Sequence, residues 1–331
     1  MKKIQAIIIL LLFFALSCRQ DVHPKQERET TSSLGNPSCI SQEVLESAIA
    51  ASPQRAAYMA NLEDKIDNYK EDPSNLRAPV KLYLPVVIHV VHVDPTIVTD
   101  AQIVEQVQVW NTDYNKLSSR LLIPGIYLAG YPLASVANCD IEFYVTDIVR
   151  VQTTVVEFQG TTSMKYSSSG GSNAVDATTK LNVWVCNMPG GTSYGMIPGG
   201  NPATDGVIID FAWFGRSSNT YVGRIGTHEV GHWLNLRHIW GDHKCGDDLV
   251  ADTPEHNEAT AGCPAPSLLL RSLCKSKQLV MWMNFMDYTY GNCQYMFTAG
   301  QKTRMDATIT NARQAYFSPT KIYTDILNVI W

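Results

Sequence analysis

Apolar and polar positions change rhythm several times along the chain. Lys2 and Lys3 precede an apolar run from Ile4 to Leu16. The run is too short to span a bilayer comfortably, and its charged start and apolar middle are those of an export signal, placed at 1–17. "RQDVHPKQERETTSSLGNP" follows, polar throughout and too poor in apolar residues to build a core, so it reads as a tether. Residues 41–70 are helix-forming and charged, with a break at Pro53. "EDPSNLRAP" then interrupts the pattern with two prolines, as a linker or processing site would. "KLYLPVVIHVVHVD" is β-branched and apolar, the pattern of a core strand. "TDAQIVEQVQVWNTDYNKL" predicts an amphipathic helix: Thr99 and Gln102 form a capping box, and Ile103, Val107, Trp110 and Tyr114 share one face.

"CDIEFYVTDI" and "KLNVWVCNM" predict two more strands, separated by a Ser/Gly-rich loop around "SSSGGSN". A glycine-rich excursion, "GGTSYGMIPGGNPATDG", leads into a further short strand at "VIIDFAWF". A helix carrying histidines is expected to begin near Asn219. A last helix, opened by a second capping box at Thr298 and Gln301, is expected to run to about Tyr316. Strands and helices alternate at first; after residue 240 strands thin out and cysteines take over. The fold class expected is α+β, with a sheet-and-helix upper half and an irregular, disulfide-stapled lower half.

Composition changes this picture in two places. A net charge of −5, with no basic run beyond the first residues, argues against nucleic acid as a partner and against a polybasic membrane patch. Ala15-Leu16-Ser17-Cys18 resembles a bacterial lipobox, with alanine where leucine is usual. Cys18 is therefore either a lipid attachment site, giving a surface lipoprotein, or a residue just beyond a conventional cleavage point, giving a secreted protein. Both readings take the protein out of the cytoplasm, where disulfides are allowed. Cys245, Cys263, Cys274 and Cys293 cluster late in the chain and permit three pairings, between which spacing cannot choose.

The candidate chemistry lies in "THEVGHWLNLRHIWGD", residues 227–242. His228 and His232 are four apart, so on a helix they project from one face and can share an ion. Glu229 is rotated toward a water on that ion rather than the ion itself. His238 completes H-E-x-x-H-x-x-N-x-x-H, but a straight helix would carry it out of reach. The chain must turn after Leu234, and Asn235 is the residue there that best tolerates positive φ after glycine. Three neutral imidazoles leave a fourth zinc position open, the composition of a catalytic site.

With "WMNFMDYTYGNC" downstream, the chain resembles the metzincin clan of zinc peptidases, Met286 being the candidate for the methionine turn beneath the metal. More narrowly it resembles the pappalysin family, in its cytophagalysin branch. "LPVVIHVVH", "LNVWVCNM", "GMIPGGNPATDGVIID", "HEVGHWLNLRH", "CGDDLVADTP", "NFMDY" and "MFTAGQKTRM" carry the likeness in order over about residues 80–310. Asn235 stands where the clan usually has glycine.

The resemblance implies a metzincin-type zincin with a mixed twisted sheet and an active-site helix. The activity implied is peptide-bond hydrolysis on protein or peptide substrates by a monomer, with Glu229 as general base. It implies that Tyr288 is a further zinc ligand or a donor to the oxyanion. Residues around Tyr194, Gly195 and Met196 would form a rim strand that receives extended substrate. The disulfides implied are Cys245–Cys274 and Cys263–Cys293, with Cys139 and Cys186 as buried thiols. Calcium is implied at "GDDLVADTP", where Asp247, Asp248, Asp252 and Thr253 offer hard oxygen ligands. Members selective for basic side chains carry an acid at the base of the S1′ pocket, just before the last cysteine. Here that position is Asn292, which offers no such charge.

A tether and pro-segment is expected at 18–77, with Arg77 as the maturation site and a catalytic domain at 78–331. The resemblance permits Cys39 to act as a switch, its thiolate taking the open zinc position, although "NPSCIS" matches no diagnostic switch motif. The leading expectation is an exported zinc endopeptidase made as a latent zymogen. The alternative is a surface lipoprotein that keeps the zinc fold as a silent binding or adhesion module, which would need no base at Glu229. A purely structural zinc site is disfavoured by its open position.

Overall fold

The computed structural model describes residues 37–75, 80–117, 130–215, 220–265 and 269–328; the signal pattern at 1–17, Cys18, Arg77 and Asn219 lie outside them. A five-stranded sheet runs in the order β2-β1-β3-β5-β4. Its strands are β1 (Leu82–His92), β2 (Ile141–Gln152), β3 (Leu181–Cys186), β4 (Tyr194–Gly195) and β5 (Val207–Asp210). β1 pairs in parallel with β2 and β3, and β3 with β5, while the two-residue β4 lies antiparallel on the outer edge of β5. From Leu84 to His92 every residue of β1 is buried, because a central parallel strand is covered on both faces.

The helices are α1 (Ser41–Ala51), α2 (Pro53–Glu71), α3 (Asp100–Asp113), α4 (Arg224–Trp233) and α5 (Ala299–Thr308). The break at Pro53 separates α1 from α2: Pro53 takes the first turn, where its missing N–H costs nothing, and the Ser52 side chain accepts from the Arg55 N–H. The capping box of Thr99 and Gln102 opens α3, and Ile103, Val107, Trp110 and Tyr114 are all buried. Leu45 of α1 and Met59, Leu62 and Ile66 of α2 form their own small core with Ile197 and Ala307, which fastens the N-terminal helices onto α5.

Two helix boundaries differ from the sequence reading. α4 begins at Arg224, not near Asn219, because Val222 and Gly223 adopt φ of 46° and 78° and cannot continue a right-handed helix backwards. The stretch after Thr298 reaches Tyr316 as expected, but α5 ends at Thr308. It widens into a π-turn over Ile309–Arg313 and closes with a 3₁₀ turn. From this turn Arg313 donates to the Trp233 carbonyl at 2.6 Å and grips Asp205 with two nitrogens, at 2.6 and 3.1 Å. One buried guanidinium thus closes the C-terminal end of α4.

After Trp233 the described residues add no strand to the sheet. The disulfides there are Cys245–Cys274 and Cys263–Cys293, and Cys139 and Cys186 are buried free thiols. Burial raises both of those thiols above their ordinary range.

Candidate metal centre

α4 presents His228 and His232 one turn apart, and the backbone then leaves the helix. Asn235 adopts φ 68° and returns the chain so that His238 faces the same point. The three Nε2 atoms stand 3.1 Å from one another in all three pairings. Imidazoles bound at about 2.0–2.1 Å to one tetrahedral ion would lie roughly 3.3 Å apart, so the donor set fits zinc.

The other ring nitrogens are committed. His228 Nδ1 donates to the Phe285 carbonyl at 2.7 Å, His232 Nδ1 to the Leu236 carbonyl at 2.9 Å, and His238 Nδ1 to Asp242. These bonds fix the tautomer, leaving each Nε2 a lone pair aimed inward. Burial, then neighbouring His238, pushes His228 down to about 3, and the same causes hold His232 well below its ordinary value. Neutral imidazoles are the form that binds a metal.

Met286 is fully buried against α4, where a Cβ on Gly231 would lie 2.5 Å from its Sδ. Glu229 lies beside the triad and is also buried; burial is the largest cause raising its carboxyl, to about 8. Tyr288 packs edge-on against His238, ring centroids 4.9 Å apart, and its hydroxyl donates to the Cys39 carbonyl at 3.2 Å.

Cys39 occupies the open side. Among the described residues, it forms with His228, His232 and His238 a group whose ligand atoms lie within 4.8 Å of one another. Its Sγ lies 3.3 Å from Ser41 Oγ and 3.4 Å from Glu229 Oε2; burial, then the Glu229 charge, raises the thiol. Ser41 Oγ donates to Glu229 at 3.2 Å and accepts from the Gly195 N–H at 2.9 Å. Ser193 donates to the Ser38 carbonyl, and the Ile40 N–H to the Ser193 carbonyl, so residues 38–40 lie against the chain just before β4.

The comparisons with known proteins agree with this geometry. The family model described as pregnancy-associated plasma protein-A matches residues 199–310. Among solved structures, mature mirolysin of Tannerella forsythia, in complex with a cleaved peptide, is 34% identical with a TM-score of 0.64, covering 72% of this chain and 95% of that one. The chain belongs to the pappalysin family. A promirolysin mutant of the same organism is also similar, 30% identical with a TM-score of 0.71 over 85% of this chain and 96% of that one. An extracellular metalloprotease of Sordaria macrospora is 37% identical over 141 residues, which are 41% of this chain and 41% of that protein. The match thus spans about two fifths of that curated relative.

In this pappalysin a cavity of about 140 Å³ opens beside the metal centre, walled by Tyr221, Ile225, Ala261, Tyr290 and Gln294 and reached by Pro37 to Cys39. Asn292 is not among its lining residues; its backbone N–H donates to the Thr220 carbonyl at 2.9 Å. Asp248 and Thr253 line a different cavity, where the Thr253 hydroxyl donates to the Asp248 carboxylate at 2.7 Å. Asp252 does not line that cavity. Its carboxylate caps α5, accepting from the Thr298 hydroxyl at 2.6 Å and the Gly300 N–H at 2.8 Å.

Three partners were not assigned from sequence. Asp242, which orients His238, had a readable signal in its four-residue spacing from that ring. Ser41 and Glu63 had none, because both act on residues more than 150 positions away.

Gly195 has a steric reason to be glycine: a Cβ there would lie 2.0 Å from the Glu229 carbonyl oxygen. Gly195→Ala must push β4 off α4. A loss of about 1–3 kcal/mol in stability is expected, typical of overpacking. Thermal unfolding of the variant beside wild type would measure it.

Proposed function

We propose that this protein is an exported zinc endopeptidase, made as a latent precursor in which residues 18–77 are tether and pro-segment and 78–331 the catalytic domain. The observation that carries the reading is the triangle of three Nε2 atoms with Glu229 at its side and the Cys39 sulfur over its open face. His228, His232 and His238 would hold the zinc. When bound, zinc supplies Lewis acidity toward the scissile carbonyl and toward water.

The remaining roles belong to the chain. Glu229, whose burial strengthens its hold on a proton, takes one from the attacking water and returns it to the leaving amine. Tyr288 is the donor for the carbonyl oxygen. It already donates to a peptide carbonyl, that of Cys39, the same chemical group a substrate would present. Met286 supports the triad from below, and β4 offers an edge on which an extended peptide can add.

Latency is supported by the placement of Cys39 and by the larger share of the chain covered by promirolysin, 85%, than by mature mirolysin, 72%. Export is supported by the apolar N-terminal run and by relatives named extracellular metalloproteases. Lipidation at Cys18 rests on the lipobox pattern. Calcium in the 247–253 loop rests on Asp248 and Thr253 with neighbouring carbonyls, Asp252 being held at α5.

The test is cleavage of casein by the full chain after zinc loading and trimming by limited proteolysis. Activity is expected to vanish with a chelator and return with zinc. A properly folded, zinc-containing, trimmed protein that cuts nothing would instead favour the silent binding module.

A further inference from the structure

Arg304 lies wholly inside the protein, its Nε donating to the Asn235 carbonyl at 2.8 Å. Its two terminal nitrogens grip one carboxylate, that of Glu63 on α2, at 2.7 and 2.6 Å. The Asn235 amide points at the same carboxylate from 3.4 Å. Arg237 stands beside them, its Nη1 donating to Gln42 at 2.5 Å while its buried Nε has no partner among the described residues. Arg304, Glu63, Asp242 and Glu46 are the charges that act on it.

Of these acceptors and acids, Glu63, Glu46 and Gln42 all belong to the segment assigned to the pro-region. What stays with the catalytic domain is the Asn235 carbonyl, which holds only the Arg304 Nε, and Asp242, which already accepts from His238. Removing residues before 78 therefore leaves two guanidiniums and an amide donor facing a place shaped for one carboxylate. Like charges held close together without an anion are costly, whereas a carboxylate gripped by two donors offsets that cost.

The place is beside the cleft. Residues 37–39 approach the metal centre along the Tyr221–Tyr290 cavity, and Gln42, three residues past Cys39, already touches Arg237. Residues 37–42 run from that cavity past the histidines at Cys39 to Arg237 at Gln42, which puts Arg237 beyond the centre along this stretch of chain.

Resting on the endopeptidase reading, we propose that Arg237, Arg304 and Asn235 form an anion-binding subsite of the mature enzyme. In the latent chain Glu63 fills it, and in the mature enzyme it takes an acidic side chain of the substrate. That residue lies on the far side of the centre from the cavity, as Gln42 does three residues past Cys39. The asparagine that replaces the clan's usual glycine thereby has a second use, supplying a donor as well as positive φ.

The test uses zinc-loaded full chain trimmed by limited proteolysis, and paired fluorescent peptides that differ only in Glu or Gln, scanned along both sides of the cleaved bond. Binding is read by anisotropy in a Glu229→Ala background, and cleavage as kcat/KM in the wild type. At one position away from the cavity Glu should bind about tenfold tighter than Gln, the worth of one charged hydrogen-bonded pair. Arg237→Gln should bring that ratio near one, and Arg237→Glu should reverse it in favour of Gln. Equal binding of Glu and Gln peptides at every position of the unmodified protein overturns the subsite, as does a Glu preference that survives Arg237→Gln. Peptides that are bound and cut without acidic preference sink the subsite alone. Failure of every peptide to bind, with no zinc-dependent cutting, sinks the endopeptidase reading and the subsite with it.

Discussion

Glu229→Ala is expected to lower kcat for peptide cleavage by about a thousandfold, within the range for removal of a positioned general acid–base. Zinc content should stay at the wild-type level, because the carboxylate is not part of the histidine triangle that fits the ion. The environment argues for a large effect. Glu229 is fully buried, its carboxyl is pushed up to about 8 chiefly by that burial, and its Oε2 lies 3.4 Å from the Cys39 sulfur that faces the histidines. Glu229→Gln is the sharper variant, since it keeps shape and hydrogen bonding but removes the base. Both need kcat from a quenched peptide and metal analysis on one preparation. Activity within a few-fold of wild type, at full zinc occupancy, would remove Glu229 from the mechanism.

The second large effect is expected at Cys39. Cys39→Ala should raise the peptidase activity of the untrimmed, zinc-loaded chain by about a hundredfold, equivalent to about 2.7 kcal/mol of lost restraint. Among the described residues of the proposed pro-segment, Cys39 alone brings a ligand atom into the histidine group, and a thiolate is a strong zinc ligand. Activation should still be incomplete, because Glu63 holds Arg304, Arg55 donates to the Ile197 carbonyl at 2.9 Å, and the α1–α2 core remains on α5. Comparing untrimmed and trimmed protein for wild type and variant measures both parts. An untrimmed variant as silent as wild type would show that steric cover, not the thiol, imposes latency.

Much of the centre was legible along the chain because it is built from near neighbours. Helical periodicity puts residues four apart on one face, so His228 and His232 could be paired on spacing alone. The demand for a turn before His238 singled out Asn235, whose φ is 68°. Both capping boxes, at Thr99 with Gln102 and at Thr298 with Gln301, are likewise closed within one helical turn. The start of α4 was less readable, since it depends on left-handed backbone at Val222 and Gly223, and a valine gives no warning of that.

Sequence by itself therefore determined four of the five strands and most helix starts, the face shared by the first two histidines, and the turn that brings the third. All of these depend on backbone sterics over a few residues. Tertiary structure alone decided that Cys39 meets histidines almost two hundred positions away, and that Glu63 sits on Arg304. It also decided that Asp252 caps α5 and that Asn292 does not line the cavity beside the centre. Contacts of that kind are settled by how whole elements pack, and packing responds to the summed shape of many side chains rather than to any local period.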